Sequence, residues 1–410
     1  MISDPLSPAT EKLYWTRPQE RTFTATVTAT DGQRVALDRT LFYPEGGGQP
    51  CDSGTLDWPG HTAQVSDVQK DNGRAAGETV WHTLDGQPPE VGSRVTGTLD
   101  WARRYRHSQR HTAEHLLAQA FWRVNPAFGV RSVSMRGPEC TLDLAGQPGE
   151  SHVLAAQNIL TERLREGLTL QTVMVGADQL SAYPLRRPPQ VEGEVRVVLF
   201  RDADGEVWEA SACGGTHLPV GVQAAPVVIL RTERVKNELT RVTFMAGEEA
   251  TERLSAVYGQ AQALARGFSV GMERLPERVA DLQAELRAAQ EAAAALRRQL
   301  AAGMLAQAEW KPMAEGRFAW LETADDLLLP VLEAAGNQPG SLSVVLAPDG
   351  SCGVASGMAE YPAQTLLKGW LAQSGGRGGG RAELARGATP QPELFRNAVL
   401  GWLDALPLPQ

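Results

Sequence analysis

The sequence predicts a multidomain chain in four parts. These are an N-terminal antiparallel β-barrel over residues 1–100, an α+β domain over 101–250, a long helical coiled-coil arm over 251–312 and a C-terminal α/β domain over 313–410. Three observations predict it. Residues 21 to about 100 alternate apolar and polar positions in short runs; after about 250 the composition turns to Ala, Leu, Glu, Gln and Arg in a heptad pattern; strand and helix patterns mix on both sides of that stretch. At 410 residues the chain is long enough for two to four domains and a sizeable core.

In the first part the runs TFTATVTA, RVALDRTLFY, AQVSDVQ, TVWHTL and RVTGTL are each followed by Asp, Gly, Pro or Asn turn signals, the rhythm of a small antiparallel barrel. Within it, Tyr43-Pro44-Glu45-Gly46-Gly47-Gly48-Gln49-Pro50 holds three consecutive glycines, which do not serve to pack a strand. They predict a loop whose backbone passes close to another group, with a flexible surface turn as the alternative. No lysine follows in phosphate-loop spacing, which argues against nucleotide binding.

The stretch WARRYRHSQRHTAEHLLAQAFWRV predicts a helix, with Leu116, Leu117, Ala120 and Phe121 as its apolar stripe and Ser108 as a candidate N-cap. Arg103, Arg104, Arg106 and Arg110 cluster at its entrance, either to meet phosphates or as a solvated charged face. His111 and His115 are four apart, so they share a helix face and can share one metal ion. His107 precedes His111 by the same interval, and periodicity alone does not choose between the two pairs. One ion cannot take both His107 and His115, which lie about 12 Å apart along a helix. Further on, Cys213-Gly214-Gly215-Thr216-His217 repeats the spacing across a glycine pair, a tight loop able to bend two ligands inward. One thiolate and three imidazoles form a natural tetrahedral set for zinc, and His111, His115, Cys213 and His217 are predicted to make one site.

From 150 to 250 an amphipathic helix around His152 to Glu166 is followed by apolar runs at 168–175, 195–200, 226–231 and 241–246, the pattern of helices against an antiparallel sheet. The CGGTH loop falls at the end of one such strand, where binding loops are held. Val279, Leu282, Leu286, Ala289, Ala293, Leu296 and Leu300 then follow a 3,4 spacing, a coiled-coil seam that folds back on helix 249–266 or pairs with a second subunit. Pro276 is placed at the first turn of that arm and Gly303 near its end. Beyond 315, strands at 342–346 and 352–355 and helices at 323–335, 361–373 and 391–405 read as a compact α/β unit. Between the last two helices, Ser374-Gly375-Gly376-Arg377-Gly378-Gly379-Gly380-Arg381 is predicted to be a loop with free backbone N–H groups and two arginines, suited to anions such as a sugar-phosphate backbone.

The formal charge of −9 argues against a protein that coats nucleic acid indiscriminately, yet leaves room for local basic surface. The four cysteines lie far apart, and reduced thiols are expected. The first residues lack a basic start with an apolar run, and no window reaches about 18 consecutive apolar residues, so a cytoplasmic protein with no membrane span is expected.

YPEGGGQP, HTAEHLL, CGGTH and the final GGRGGG, in that order, resemble the motifs of the free-standing alanyl-tRNA editing proteins, the AlaX family, which are related to the editing half of alanyl-tRNA synthetase. The C-terminal unit resembles the DHH-associated RNA-binding domain, and the likeness covers nearly the whole chain. It implies a zinc-dependent hydrolase that deacylates mischarged tRNA-Ala, with serine and also glycine as the wrong amino acids. With no room for a synthetase catalytic domain before residue 20, the protein would act in trans. Residues 101–250 would be the α+β zinc-binding editing domain and 313–410 an RNA-binding or oligomerisation domain, with a homodimer formed through the arm or that domain.

Carried over by position, His111, His115, Cys213 and His217 match the family's zinc ligands, and Gln49 with Gly46, Gly47 and Gly48 matches the glycine-rich loop bordering the site. Residue 114 departs from the pattern, since the synthetase version carries a small or uncharged residue where this chain has Glu114. Gln49 and Glu114 are the candidates for water activation. Thr112 and Thr216, each beside a ligand, are candidates for the hydroxyl partner that separates serine from alanine. Arg377, Gly378, Gly379, Gly380 and Arg381 are the candidates for holding the tRNA. Two rivals stand beside this reading: an inverted zinc protease, because HTAEH fits H-x-x-E-H, and a non-catalytic tRNA-binding protein with structural zinc.

Overall fold

The computed structural model describes residues 9–73, 77–187, 193–235 and 238–407. Two compact units divide it, Met1–Ala261 and Gln262–Gln410. In the first, the strands β1 (Thr22–Asp31), β2 (Arg34–Leu37), β3 (Gly54–Trp58), β4 (His61–Gly73), β5 (Gly77–Leu84) and β6 (Arg94–Leu99) close into a barrel in the order β1-β2-β5-β4-β3-β6. Every pairing is antiparallel, as the alternation of the runs requires. The residues at every second position, Phe23, Ala25 and Val27 on β1 among them, turn inward with Val35, Leu56, Val65, Val80 and Val95 to fill the interior.

One histidine is part of this wall. His82 Nε2 lies 2.8 Å from Thr40 Oγ1 and Nδ1 lies 3.2 Å from the Val35 carbonyl, a pair satisfied by the neutral ring that donates from Nδ1 and accepts from the threonine. Burial pushes its pKa down to about 4, opposed by the Val35 carbonyl. The unfolded chain therefore takes up this proton first. The stability that the neutral ring contributes is full above about pH 6.5 and is lost as the pH falls towards 4. Hydrogen-exchange protection of the barrel strands should fall over that window, and His82→Gln should flatten the fall.

Helix α1 (Trp101–Val124) follows the barrel directly. Its N-cap is Asp100, whose carboxylate accepts from the Arg103 amide, and not Ser108, which sits buried two turns inside. The helix starts early because its first turns have buried partners of their own. Arg104 Nε contacts both carboxylate oxygens of Asp52, at 3.1 and 2.9 Å, and its Nη2 reaches the Leu41 carbonyl. Arg110 forms a bidentate pair with Glu249, at 2.7 and 2.6 Å. Arg106 pairs with Glu248 and Glu252, and Arg103 donates to the Cys51 carbonyl. Arg104 and Arg110 are thus committed to buried pairs, where sequence offered phosphates or solvent, while Arg103 is exposed and Arg106 half-exposed.

Around α1 the chain builds two antiparallel sheets. The strands β7 (Val130–Ser134), β8 (Cys140–Ala145), β12 (Val227–Val235) and β13 (Leu239–Ala246) run in the order β12-β13-β8-β7; β9 (Thr169–Gly176), β10 (Glu194–Arg201) and β11 (Val207–Ala212) form the second. Helix α2 (Glu150–Glu166) packs on α1, and Leu116, Leu117, Ala120 and Phe121 enter one apolar core with Leu160, Leu142, Phe200 and Phe244. The predicted stripe is there, but α1 is covered on its polar side as well. From Arg104 to Phe121 only Tyr105 and Arg106 are not buried. Helix α3 (Gly247–Gly267) continues from β13.

In the second unit, α4 (Leu275–Ala306) is a single helix with Pro276 in its first turn. Its last turns bury Ala301 and Leu305 against α5 (Leu328–Gly336), whereas Val279, Leu286, Leu296 and Leu300 of the heptad seam are exposed. The sheet comprises Lys311–Pro312, β14 (Arg317–Glu322), β15 (Ser341–Leu346), β16 (Ser351–Ser356), β17 (Arg377–Gly380) and β18 (Leu384–Ala388), with α6 (Ala363–Gln373) and α7 (Pro392–Asp404) completing the unit. Its one parallel pair is β14 with β15.

The glycine-rich segment differs from its expectation. Residues 377–380 form an edge strand paired with β18, Gly378 facing Gly387 and Gly380 facing Ala385, not a free loop. Leu371 of α6 lies over Gly378 and Gly387, where any side chain would collide with it, so glycine here serves a close approach and not a turn. Among the described residues no helix is long and apolar enough to cross a membrane.

Candidate metal centre

His111 and His115 project from one face of α1, and Cys213 and His217 come from the loop that leaves β11. One ligand atom from each of the four lies within 4.8 Å of all the others. Cys213 Sγ is 3.4 Å from His111 Nε2 and 3.4 Å from His217 Nε2. A tetrahedral zinc, with Zn–N of about 2.0–2.1 Å and Zn–S of about 2.3 Å, sets nitrogen and sulfur about 3.5 Å apart, so the donor set and its spacing fit that ion. Of the two helical pairs left open by periodicity, His111 with His115 is the one that lies with Cys213 and His217. His107 is buried outside the cluster, and burial first, then Arg103, Arg110 and Arg104, pushes its pKa down to about 3.

Two features shape the CGGTH loop. Arg196 donates from Nη1 to the carbonyls of Cys213 and Gly215, both at 2.9 Å, and Trp15 donates to the Gly214 carbonyl at 2.7 Å. Gly215 is required where it stands, because a Cβ there would fall 2.0 Å from His111 Cε1. Its amide also donates to the Cys213 sulfur at 3.3 Å. Burial raises the Cys213 pKa, yet the three histidines together bring it well below the ordinary thiol value. For His115, burial acts downward and is outweighed by Glu209 and Cys213, so its pKa is well above the usual value. Burial lowers His217, with His111 adding to it, to about 3. A lowered thiol pKa favours the thiolate, the form that binds metal.

Behind each imidazole stands a polar group near its outer nitrogen, although His115 Nδ1 makes no hydrogen bond. His111 Nδ1 is 2.7 Å from Gln49 Oε1, His217 Nδ1 is 3.5 Å from Thr112 Oγ1, and His115 Nδ1 is 3.4 Å from Glu209 Oε1. Such outer partners fix which nitrogen faces the metal and how the ring is turned. Gln49 also receives the Thr216 amide on Oε1, at 3.1 Å, and donates from Nε2 to Thr216 Oγ1, at 2.9 Å; Thr216 Oγ1 in turn meets Ser108 Oγ at 2.9 Å. Thr112 Oγ1 accepts from the Leu218 amide at 3.0 Å. Gln49, Thr112 and Thr216 are thereby buried with their polar atoms engaged, on the far side of the ligands.

The glycine loop reaches the centre through a tight turn, in which Gly46 and Gln49 exchange backbone bonds of 3.1 and 3.0 Å while Gly47 and Gly48 take positive φ. Its base is held by the Arg104–Asp52 pair, since Asp52 also accepts the Tyr43 amide at 2.7 Å. The order of dependence is therefore helix to Asp52, Asp52 to the loop, the loop to Gln49, and Gln49 to His111.

The centre borders a cavity of about 900 Å³ that reaches His111, His115 and Cys213. Gly46 and Gly47 line it. Glu114 lies on its wall with Oε2 3.7 Å from His115 Nε2 and is the sole acidic residue there among the described residues, against Lys70, Arg131, Arg186 and Arg187. Arg377, Gly378, Gly379, Gly380 and Arg381 belong to the second unit, on exposed β17 and just after it. Sequence reading missed Glu209, Arg186 and Arg196. Glu209 and Arg196 lie in apolar strand runs and Arg186 in a short connection, and nothing in their spacing marks them.

Residues 9–103 match the family model described as tRNA synthetases class II (A). The chain is 30% identical to the alanine–tRNA ligase of Pyrococcus abyssi over 408 residues, 96% of this chain and 43% of that protein. It is 32% identical to that of Thermococcus kodakarensis over 414 residues, again 96% and 43%. With the Methanopyrus kandleri enzyme it shares 30% over 412 residues, 94% of this chain and 43% of that one. The chain thus spans less than half the length of these relatives. The C-Ala domain of Aquifex aeolicus alanyl-tRNA synthetase is similar at 17% identity over 24% of this chain and 97% of that one, with a TM-score of 0.22, which bears on nothing here.

Proposed function

We propose, from the likeness to alanine–tRNA ligases and from the centre itself, that this chain belongs with the alanyl-tRNA editing proteins. In this reading it is a zinc-dependent deacylase that acts in trans, in the cytoplasm, on mischarged tRNA-Ala, with serine as the main wrong amino acid and glycine as a second. The observation that carries the reading is that three imidazoles and a thiolate converge on the wall of a cavity of about 900 Å³. That volume suits a small organic group such as an aminoacyl ribose. Arg131 and Arg187 on the wall, beside Lys70 and Arg186, which pair with Glu78 and Glu209, suit a strand of phosphates leading to it.

The reaction breaks the ester between the amino acid and the terminal ribose. Zinc held by His111, His115, Cys213 and His217 would polarise or position the ester carbonyl. Glu114 faces the same space and takes the proton of the attacking water; the carbon–oxygen bond to the ribose then breaks, and the proton passes to the ribose hydroxyl. Gln49 and Thr112 hold two of the ligand rings, and Thr216 holds Gln49, so the part proposed for these three is to keep the centre in shape. Deacylation of Ser-tRNA-Ala tests the reading. Glu114→Gln should retain zinc and lower the rate by about 10²-fold or more; an unchanged rate would remove Glu114 from the chemistry.

Four protein ligands close a tetrahedron, which is also the pattern of structural zinc. The non-catalytic reading follows from that observation, and a zinc-loaded chain that binds tRNA-Ala without hydrolysing its ester would establish it. The protease reading calls for an acidic third ligand, whereas Cys213 and His217 are the residues that lie with the histidine pair here. In the second unit, exposed Arg377 and Arg381 are proposed to contact tRNA and the bare seam of α4 to pair with a second copy. Weaker tRNA retention by Arg377→Ala/Arg381→Ala and a two-chain mass by light scattering are the expected results; full retention and a concentration-independent monomer oppose them.

A further inference from the structure

We propose that Glu209 is a positioning residue of this centre: it sets the ring of His115 through Nδ1 and at the same time fastens the Arg186 guanidinium into the cavity wall. The inference rests on the reading of the cluster as a zinc centre. Glu209 lies on β11, register-paired with Phe200 in the middle of an apolar sheet, and its side chain is fully buried. A carboxylate there is costly unless it is matched by charge and hydrogen bonds. Its Oε1 is 3.4 Å from His115 Nδ1 and 3.0 Å from Arg186 Nη2, and it accepts from Ser211 Oγ. Arg186 also reaches Ser211 Oγ at 3.2 Å, so histidine, carboxylate, serine and guanidinium form one connected group.

The direction of each contact matters. His115 Nε2 lies on the Glu114 side, at 3.7 Å, and Nδ1 faces Glu209 Oε1 at 3.4 Å, a charge contact short of a formed hydrogen bond. Glu209 is the carboxylate that a proton on Nδ1 would meet. The other two rings have neutral receivers, an amide oxygen on Gln49 and a hydroxyl on Thr112. His115 alone is backed by a charged group, which makes it the most strongly donating of the three imidazoles towards a cation. Arg186 offsets the buried negative charge and is itself held at the cavity surface.

The test uses the full chain, metal-free and reloaded with zinc or with cobalt(II). Glu209→Gln should weaken zinc binding by about 10- to 100-fold against a chromophoric chelator and should shift the visible cobalt bands. Arg186→Gln breaks the same buried ion pair without touching His115, so it should leave zinc affinity within about twofold and the cobalt bands in place. An unchanged affinity and spectrum in Glu209→Gln, or equal changes in both variants, would overturn the proposal and reduce Glu209 to a structural ion pair. A measurement on the wild type guards against a variant that does not fold: nitrogen-15 spectra of the zinc-loaded protein should show His115 protonated on Nδ1, and protonation on Nε2 overturns the proposal. If the wild type binds no zinc at all, the metal reading fails with it, an outcome distinct from a loaded wild type that Glu209→Gln matches.

Discussion

Cys213→Ala and His115→Ala each reduce bound zinc from about one ion per chain to nearly none, and abolish ester hydrolysis with it. The size of the effect follows from the geometry. All four residues are buried or half-buried, the sulfur lies 3.4 Å from two imidazole nitrogens, and among the described residues no carboxylate joins the group. Glu114 is the acidic candidate on the cavity side, with its oxygen 3.7 Å from His115 Nε2, and Glu209 lies 3.4 Å from the other nitrogen of that ring. Metal analysis of the purified variants checks this; full zinc in either one would mean that the four residues do not form one site.

The second large effect lies away from the ligands. Asp52→Ala leaves the Arg104 guanidinium, 1% exposed, without its counter-ion, and loss of one partner of such a pair costs about 3–5 kcal/mol. The Tyr43 amide loses its acceptor too, so the base of the glycine loop is freed. Urea denaturation followed in the unit that contains the pair should show the loss. Replacing both partners together, as Asp52→Leu with Arg104→Met, should recover much of it, because the uncompensated charge is then gone. Zinc affinity should fall in Asp52→Ala as well, since the same loop carries Gln49 to His111. A variant as stable as the wild type would show that water, and not Asp52, satisfies this arginine.

These two effects mark how far the sequence could be read. Periodicity found the barrel strands and the central helix because in each a regular apolar repeat faces one core; it also found the long helix Leu275–Ala306, whose heptad seam lies exposed and buries only Ala301 and Leu305. The i, i+4 spacing found both halves of the His/Cys cluster because a helix and a tight glycine loop each bring such residues to one side. Neither rule decides what surrounds the helix. Arg104 and Arg110 looked like surface charge, and they are buried because Asp52 and Glu249, 52 and 139 residues away, meet them. Asp100 capped the helix ahead of Ser108 for the same reason, since those buried pairs extend it backward.

At the cluster, its four residues could be named from spacing, whereas the groups behind them could not. Gln49 and Thr112 were visible as polar residues near the motifs, but their part depends on long-range contacts; Gln49 meets His111 across 62 residues. Glu209 had no signal beyond being an acid in an apolar strand. The segment from Arg377 to Gly380 was read as a loop because glycine disfavours strands; the close packing of Leu371 over it belongs to tertiary structure.

The central claim, that the His/Cys centre serves ester hydrolysis on tRNA, is tested most directly by incubating the zinc-loaded chain with tRNA-Ala charged with serine, glycine or alanine. Rapid loss of serine, loss of glycine and persistence of alanine are predicted, with the activity lost on removal of zinc. If all three esters decay at the rate seen without protein, the claim is contradicted and the zinc is structural.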